Sequence, residues 1–102
     1  MTNGEPSVPD DDAPHILIVD DDTRIRGLLS QFLSENGFRI TVAGTASEAR
    51  RRLEGLEFDL IVLDVMMPGE SGVELTRALR ETRDVPILMR TALSETYARV
   101  TG

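Results

Sequence analysis

The polar and apolar positions of the chain alternate between two periods. Ile16-Leu17-Ile18-Val19 is a short, β-branched, continuously apolar run that ends in acids, the mark of a strand buried in a parallel sheet. Ile25, Leu28, Leu29, Phe32 and Leu33 then recur at the spacing of one helix face. Asp22 or Thr23 can cap that helix, and Gly37 after Asn36 stops it. Phe38, Ile40 and Val42 alternate as a second strand. Thr45 with Glu48 predicts a capping box opening a helix through Leu53, closed by Gly55. Leu60-Ile61-Val62-Leu63 repeats the buried-strand pattern and again ends in an acid, Asp64. Met66-Met67-Pro68-Gly69 reads as a loop, and Ser71 with Glu74 predicts a second capping box, before a helix carrying Val73, Leu75, Ala78 and Leu79. Pro86 to Met89 forms a fourth strand, and Ser94 begins a helix that the end of the chain cuts short.

Strands and helices that alternate through short loops build a parallel sheet with helices on both faces and right-handed crossovers. The predicted class is α/β, a doubly wound flavodoxin-like sheet of order 2-1-3-4. Ligands bind such sheets outside the carboxyl ends of the strands, where the strand order reverses. Asp20, Asp21 and Asp64 stand at those ends.

Residues 1–14 differ from the rest. They carry Pro6, Pro9, Pro14 and the run Asp10-Asp11-Asp12, with Val8 the one sizeable apolar group, and are expected to form a solvated tail before a domain over residues 15–102. Eighteen acidic residues against eleven basic give a formal net charge of −7, a sign that opposes contact with nucleic acid or anionic membranes. The absence of cysteine excludes disulfides, thiol catalysis and thiolate metal sites. No apolar run approaches the ~20 residues of a membrane span, and Met1 to Pro14 lacks the pattern of a signal peptide. A cytoplasmic location is therefore expected.

Strands one and three are neighbours in this sheet, so Asp20, Asp21 and Asp64 should converge in one crevice. Converging carboxylates repel one another unless a cation joins them. Hard oxygen donors suit Mg²⁺, and a carboxylate beside it can act as the nucleophile towards a phosphoryl group. Thr91, at the end of strand four, can offer a hydroxyl to a phosphoryl oxygen. Asp22 and Asp59 are assigned to helix capping. His15 is the one histidine, and there is no Gly-rich phosphate loop.

Three stretches, His15-Ile16-Leu17-Ile18-Val19-Asp20-Asp21-Asp22, Leu63-Asp64-Val65-Met66-Met67-Pro68-Gly69 with Gly72, and Pro86-Ile87-Leu88-Met89 with Thr91-Ala92, resemble the receiver domain of two-component response regulators. The resemblance covers His15 to about Leu93. It implies a phosphoacceptor at Asp64, served by a histidine kinase, and Mg²⁺ on Asp20, Asp21, Asp64 and the backbone carbonyl of Met66. It implies a switch hydroxyl at Thr91. The acid run after strand one is typical of winged-helix transcriptional regulators, which suggests that kind of parent protein by analogy.

The chain departs from the family pattern after strand four. A receiver has five βα units, and the fifth strand with its lysine and switch aromatic has no counterpart here; the chain contains no lysine. The expectation is a receiver truncated before strand five, with an exposed strand-four edge able to self-associate, part of the first helix's apolar stripe uncovered and phosphorylation uncoupled from a switch. Arg90 stands where an aliphatic residue is usual. It is read as a charge tolerated at that edge; the alternative, a replacement cation for the missing lysine, is disfavoured because neighbouring strand residues face opposite ways. Two other readings compete: a pseudo-receiver that only binds a partner, and a haloacid-dehalogenase-like phosphohydrolase. For the latter Asp20 and Asp22 fit but Arg24 does not.

Overall fold

The structure is a computed structural model and describes residues 12–90. The expected helix from Ser94, the hydroxyl of Thr91 and most of the expected tail lie outside the described residues. Seven elements follow in order: β1 (His15–Val19), α1 (Thr23–Glu35), β2 (Arg39–Ala43), α2 (Ala46–Gly55), β3 (Leu60–Asp64), α3 (Gly72–Arg80) and β4 (Ile87–Arg90). The strands pair in parallel in the order β2-β1-β3-β4, the doubly wound arrangement that the alternating pattern predicts.

The central strands are apolar throughout because both of their faces are covered. All five residues of β1 are buried, and in β3 the buried positions are Ile61, Leu63 and Asp64. One face packs Leu17, Val19, Ile61 and Leu63 against Ala46, Ala49 and Leu53 of α2 and Leu75 and Leu79 of α3. Met67, placed in a loop by its neighbours in sequence, turns inward and joins this core, whereas Met66 stays 59% exposed. The other face is covered by α1 alone among the described helices, and that helix has no fully buried residue. Leu28 and Phe32 stand more than 60% exposed, as the uncovered stripe predicts. Across the sheet from them, Leu88 and Met89 of edge strand β4 are also exposed.

Local signals set the ends of these elements. Asp22, rather than Thr23, caps α1, its carboxylate accepting the amide N–H groups of Arg24 and Ile25. The helix closes in a Schellman motif: the Phe38 amide donates to the Leu33 carbonyl and the Gly37 amide to that of Ser34, with Gly37 at φ +93°. The box at Ser71 and Glu74 is complete. The one at Thr45 is not reciprocal, because the Glu48 carboxylate accepts the N–H of Gly44, one residue before the cap. Asp59 corrects its helix-cap assignment. Its Oδ2 accepts the His15 amide at 2.8 Å while its own amide donates to the His15 carbonyl, so it ties the starts of β1 and β3 together. No described helix is long and apolar enough to cross a membrane.

Two features of this frame yield tests. The backbone of Gly72 lies against the end of β3, donating its N–H to the Val65 carbonyl. A Cβ there would sit 2.8 Å from Val65 Cα and closer still to the Asp64 carbonyl oxygen. Gly72→Ala is expected to cost about 1–3 kcal/mol, since only backbone could yield. Gly55→Ala, with nothing within 4 Å, should be neutral or mildly stabilising by a few tenths of a kcal/mol. Urea unfolding of both variants checks this, and an unperturbed Gly72→Ala would be the contrary result.

His15, at the other end of β1, is buried, bonded through Nε2 to Thr41 Oγ1 at 2.7 Å and tilted on the Phe58 ring. Burial, helped by the charge of Arg39, lowers its pKa, with Asp59 opposing. A lowered folded-state value means the unfolded chain binds the proton more readily. The contribution is therefore complete above about pH 6.5 and is lost as pH falls through the folded-state value. Chemical denaturation from about pH 7.5 to 5 should show this loss in the parent chain and not in His15→Gln.

Candidate functional site

The register of the parallel strands brings the acids together. Ile16 pairs with Leu60 and Ile18 with Val62, so Asp20 and Asp64, two residues further along each strand line, emerge on the same face at the same end. Carboxylate oxygens of Asp20, Asp21 and Asp64 all lie within 4.8 Å of one another. Asp20 is 1% exposed and Asp64 6%, whereas Asp21 is open to solvent.

Asp20 is the most tightly held of the three. Its amide donates to the Ala43 carbonyl, and its own carbonyl accepts Arg26 Nη1 at 2.8 Å. Its Oδ1 accepts the Asp22 amide at 2.9 Å. The loop from β1 into α1 is thus closed by one acid that caps the helix and another that the helix cap orients. Asp64 is fixed from its own loop: Oδ1 accepts the Met66 amide at 3.1 Å, and the next amide, Val65, donates to the Arg90 carbonyl. Burial raises the Asp64 pKa; the Met66 N–H and the Arg90 charge oppose this, while Asp20 and Asp21 push it further up.

Arg90 overturns its reading as a tolerated edge charge. Its Nε lies 3.1 Å from Asp20 Oδ2, and its Nη2 closes a salt bridge to the same oxygen. The reason is register. Val62 pairs with Leu88 and Asp64 with Arg90, so Arg90 shares the face of Asp64 and hence of Asp20. Its long side chain then spans β3 to reach the end of β1. Counting the two-residue period from Asp64 across to β4 could have found this contact; counting it along β4 from Thr91 could not.

The donor set is three carboxylates without nitrogen or sulfur, which is hard-cation chemistry and fits Mg²⁺. An ionised carboxylate at Asp64 is also a competent oxygen nucleophile. Of the residues singled out in the sequence, Asp20, Asp21 and Asp64 are brought together, Asp22 serves as a cap beside them, and Thr91 lies outside the described residues.

Known proteins are similar to this chain in sequence and in fold. The chain is 62% identical over 89 residues to Protein PetR of Rhodobacter capsulatus, covering 87% of the chain and 38% of that protein. It is 44% identical over 87 residues to the transcriptional regulatory protein ResD of Bacillus subtilis, covering 85% and 36%. The chain thus spans little more than a third of the length of these relatives. Among solved structures, the response regulator protein TrrA of Thermotoga maritima in complex with Mg²⁺-BeF superposes with a TM-score of 0.73 at 39% identity, over 78% of this chain and 70% of that one. TrrA in complex with the histidine kinase ThkA superposes equally well, over 78% and 69%. The family model described as the response regulator receiver domain matches residues 16–102, so with these relatives the chain belongs to the receiver domains of response regulators, the regulatory phosphoacceptors of two-component signalling.

Proposed function

We propose that Asp64 accepts a phosphoryl group from a partner histidine kinase, at a Mg²⁺ site formed by Asp20, Asp21, Asp64 and the main-chain carbonyl of Met66. The observation that carries this reading is the convergence of three carboxylates at the carboxyl ends of β1 and β3, with only Asp64 ending the central strand β3. An Asp64 carboxylate oxygen attacks phosphorus as the bond to the kinase imidazole nitrogen breaks, and that nitrogen keeps the electron pair. The Met66 N–H on Oδ1 orients the carboxylate, and the surrounding burial that raises its pKa makes the oxygen more basic. When bound, Mg²⁺ supplies positive charge against the transferring oxygens. Asp20 and Asp21 hold that ion, and the Thr91 hydroxyl contacts a phosphoryl oxygen. The TrrA structures, one with Mg²⁺-BeF and one with its histidine kinase, support the same assignment here.

The parent protein is proposed to be a transcriptional regulator, as ResD is by name. The acid cluster itself adds no positive surface for nucleic acid, and β4, at the edge of the described sheet, offers Leu88 and Met89 for self-association.

A small acyl phosphate should label the full chain once, at Asp64, only with Mg²⁺ present. Asp64→Asn should abolish the label, because an amide oxygen is a far weaker nucleophile than a carboxylate. Intact mass and peptide mapping give the readout, and a label on Asp59, or one that survives in Asp64→Asn, overturns the phosphoacceptor assignment. Asp20→Asn and Asp21→Asn should each weaken Mg²⁺ binding by about tenfold or more, as one charge leaves the site. A calorimetric titration with unchanged affinity in both variants removes them as ligands.

A further inference from the structure

Asp20 is almost wholly buried, yet it carries a partner that the phosphoacceptor chemistry does not require. The guanidinium of Arg90 is bonded to Oδ2 through Nε and Nη2, while Oδ1 is taken by the Asp22 amide. The Arg90 side chain is 25% exposed, so it can swing out to water; the Asp20 side chain, at 1%, cannot. A carboxylate enclosed to that degree needs a cation or strong hydrogen bonds to remain charged. Arg90 is brought to this acid by the geometry of the sheet, being the register partner of Asp64 and sharing its face.

We propose that Arg90 is a displaceable counter-ion of the acidic crevice, holding Asp20 in the metal-free protein and competing with the divalent cation for the same carboxylate oxygen. The inference rests on the Mg²⁺ site proposed above and assigns the residue that sets its affinity. A metal ion that takes Asp20 Oδ2 must displace the guanidinium from it, and the positive charge beside the crevice opposes its approach. Binding is then an exchange of one cation for another rather than the filling of a bare acid cluster. An arginine suits this role because it pairs with a carboxylate in a fixed planar geometry and carries its charge at every working pH.

The experiment is a calorimetric titration of the full chain with Mg²⁺ alone, at constant ionic strength, joined to thermal unfolding without metal. Arg90→Leu is expected to tighten Mg²⁺ binding by about tenfold, as the competing charge is removed. Arg90→Lys, which keeps the charge, should stay near the parent affinity. Without metal, Arg90→Leu should lower Tm, and this loss should vanish when Asp20→Asn is already present, since no buried charge is then left unpaired. Arg90→Gln, smaller in its disturbance of the strand edge, carries the same expectations if Arg90→Leu fails to give a folded circular dichroism spectrum. Unchanged or weaker Mg²⁺ binding in Arg90→Leu or Arg90→Gln, alongside weakened binding in Asp20→Asn, overturns the counter-ion and leaves the metal site standing. Absence of Mg²⁺ binding in the parent and every variant overturns both.

Discussion

Like charge at close range is the constraint around which this molecule is arranged. Three carboxylates within 4.8 Å of one another, two of them buried, repel strongly where water screens little. The structure answers with oriented dipoles and the charge of an arginine: the Asp22 amide on Asp20, the Met66 amide on Asp64 and the Arg90 guanidinium on Asp20. Each donor comes from a different piece of backbone, so the cluster depends on the β1–α1 loop, the β3–α3 loop and the end of β4 being correctly placed at once. The geometry of the cluster is consequently coupled to the integrity of three connections rather than to one motif.

Those connections are held by close backbone packing. Gly72 lets the first turn of α3 press against Asp64 and Val65, and the complete capping box at Ser71 and Glu74 starts the helix at that point. Arg26 reaches back from α1 to the Asp20 carbonyl. Arg50 of α2 pairs with Glu70, through a bond from Nε to Oε1 at 3.2 Å and a second from Nη2, and so ties the loop after β3 to the neighbouring helix. The Arg50–Glu70 pair is exposed and of small individual worth. The apolar core beneath, from Leu17 through Leu79, carries the greater share of the stability and orients the strands whose ends bear the acids.

The two faces of the sheet differ in how well they are covered. The α2 and α3 face is a dense cluster that takes in Met67 and is extended by Phe58, Val85 and Ile87. The α1 face is covered chiefly over β1 and β2, leaving Leu28, Phe32 and Leu88 exposed. Asp20, Asp64 and Arg90 belong by strand parity to this thinner face. That openness is what allows a long, partly exposed arginine side chain to lie across the end of β3.

Much of the fold was legible in the sequence because local chemistry and period coincide there. The continuous apolar runs identify β1 and β3, alternating strands and helices dictate a parallel sheet, and Gly37 and Ser71 mark boundaries that the structure keeps. The meeting of Asp20, Asp21 and Asp64 followed as well, since acids at the ends of adjacent parallel strands must converge. Contacts made by reach were not legible. Asp59 bonds the His15 backbone across 44 positions, and Arg90 meets Asp20 across 70. Met67 entered the core while Met66 did not. Residue type and spacing describe what one segment prefers. Which long side chain finds which distant carboxylate depends on the register between strands, and hydrogen bonds and packing set that register only when the whole sheet is assembled.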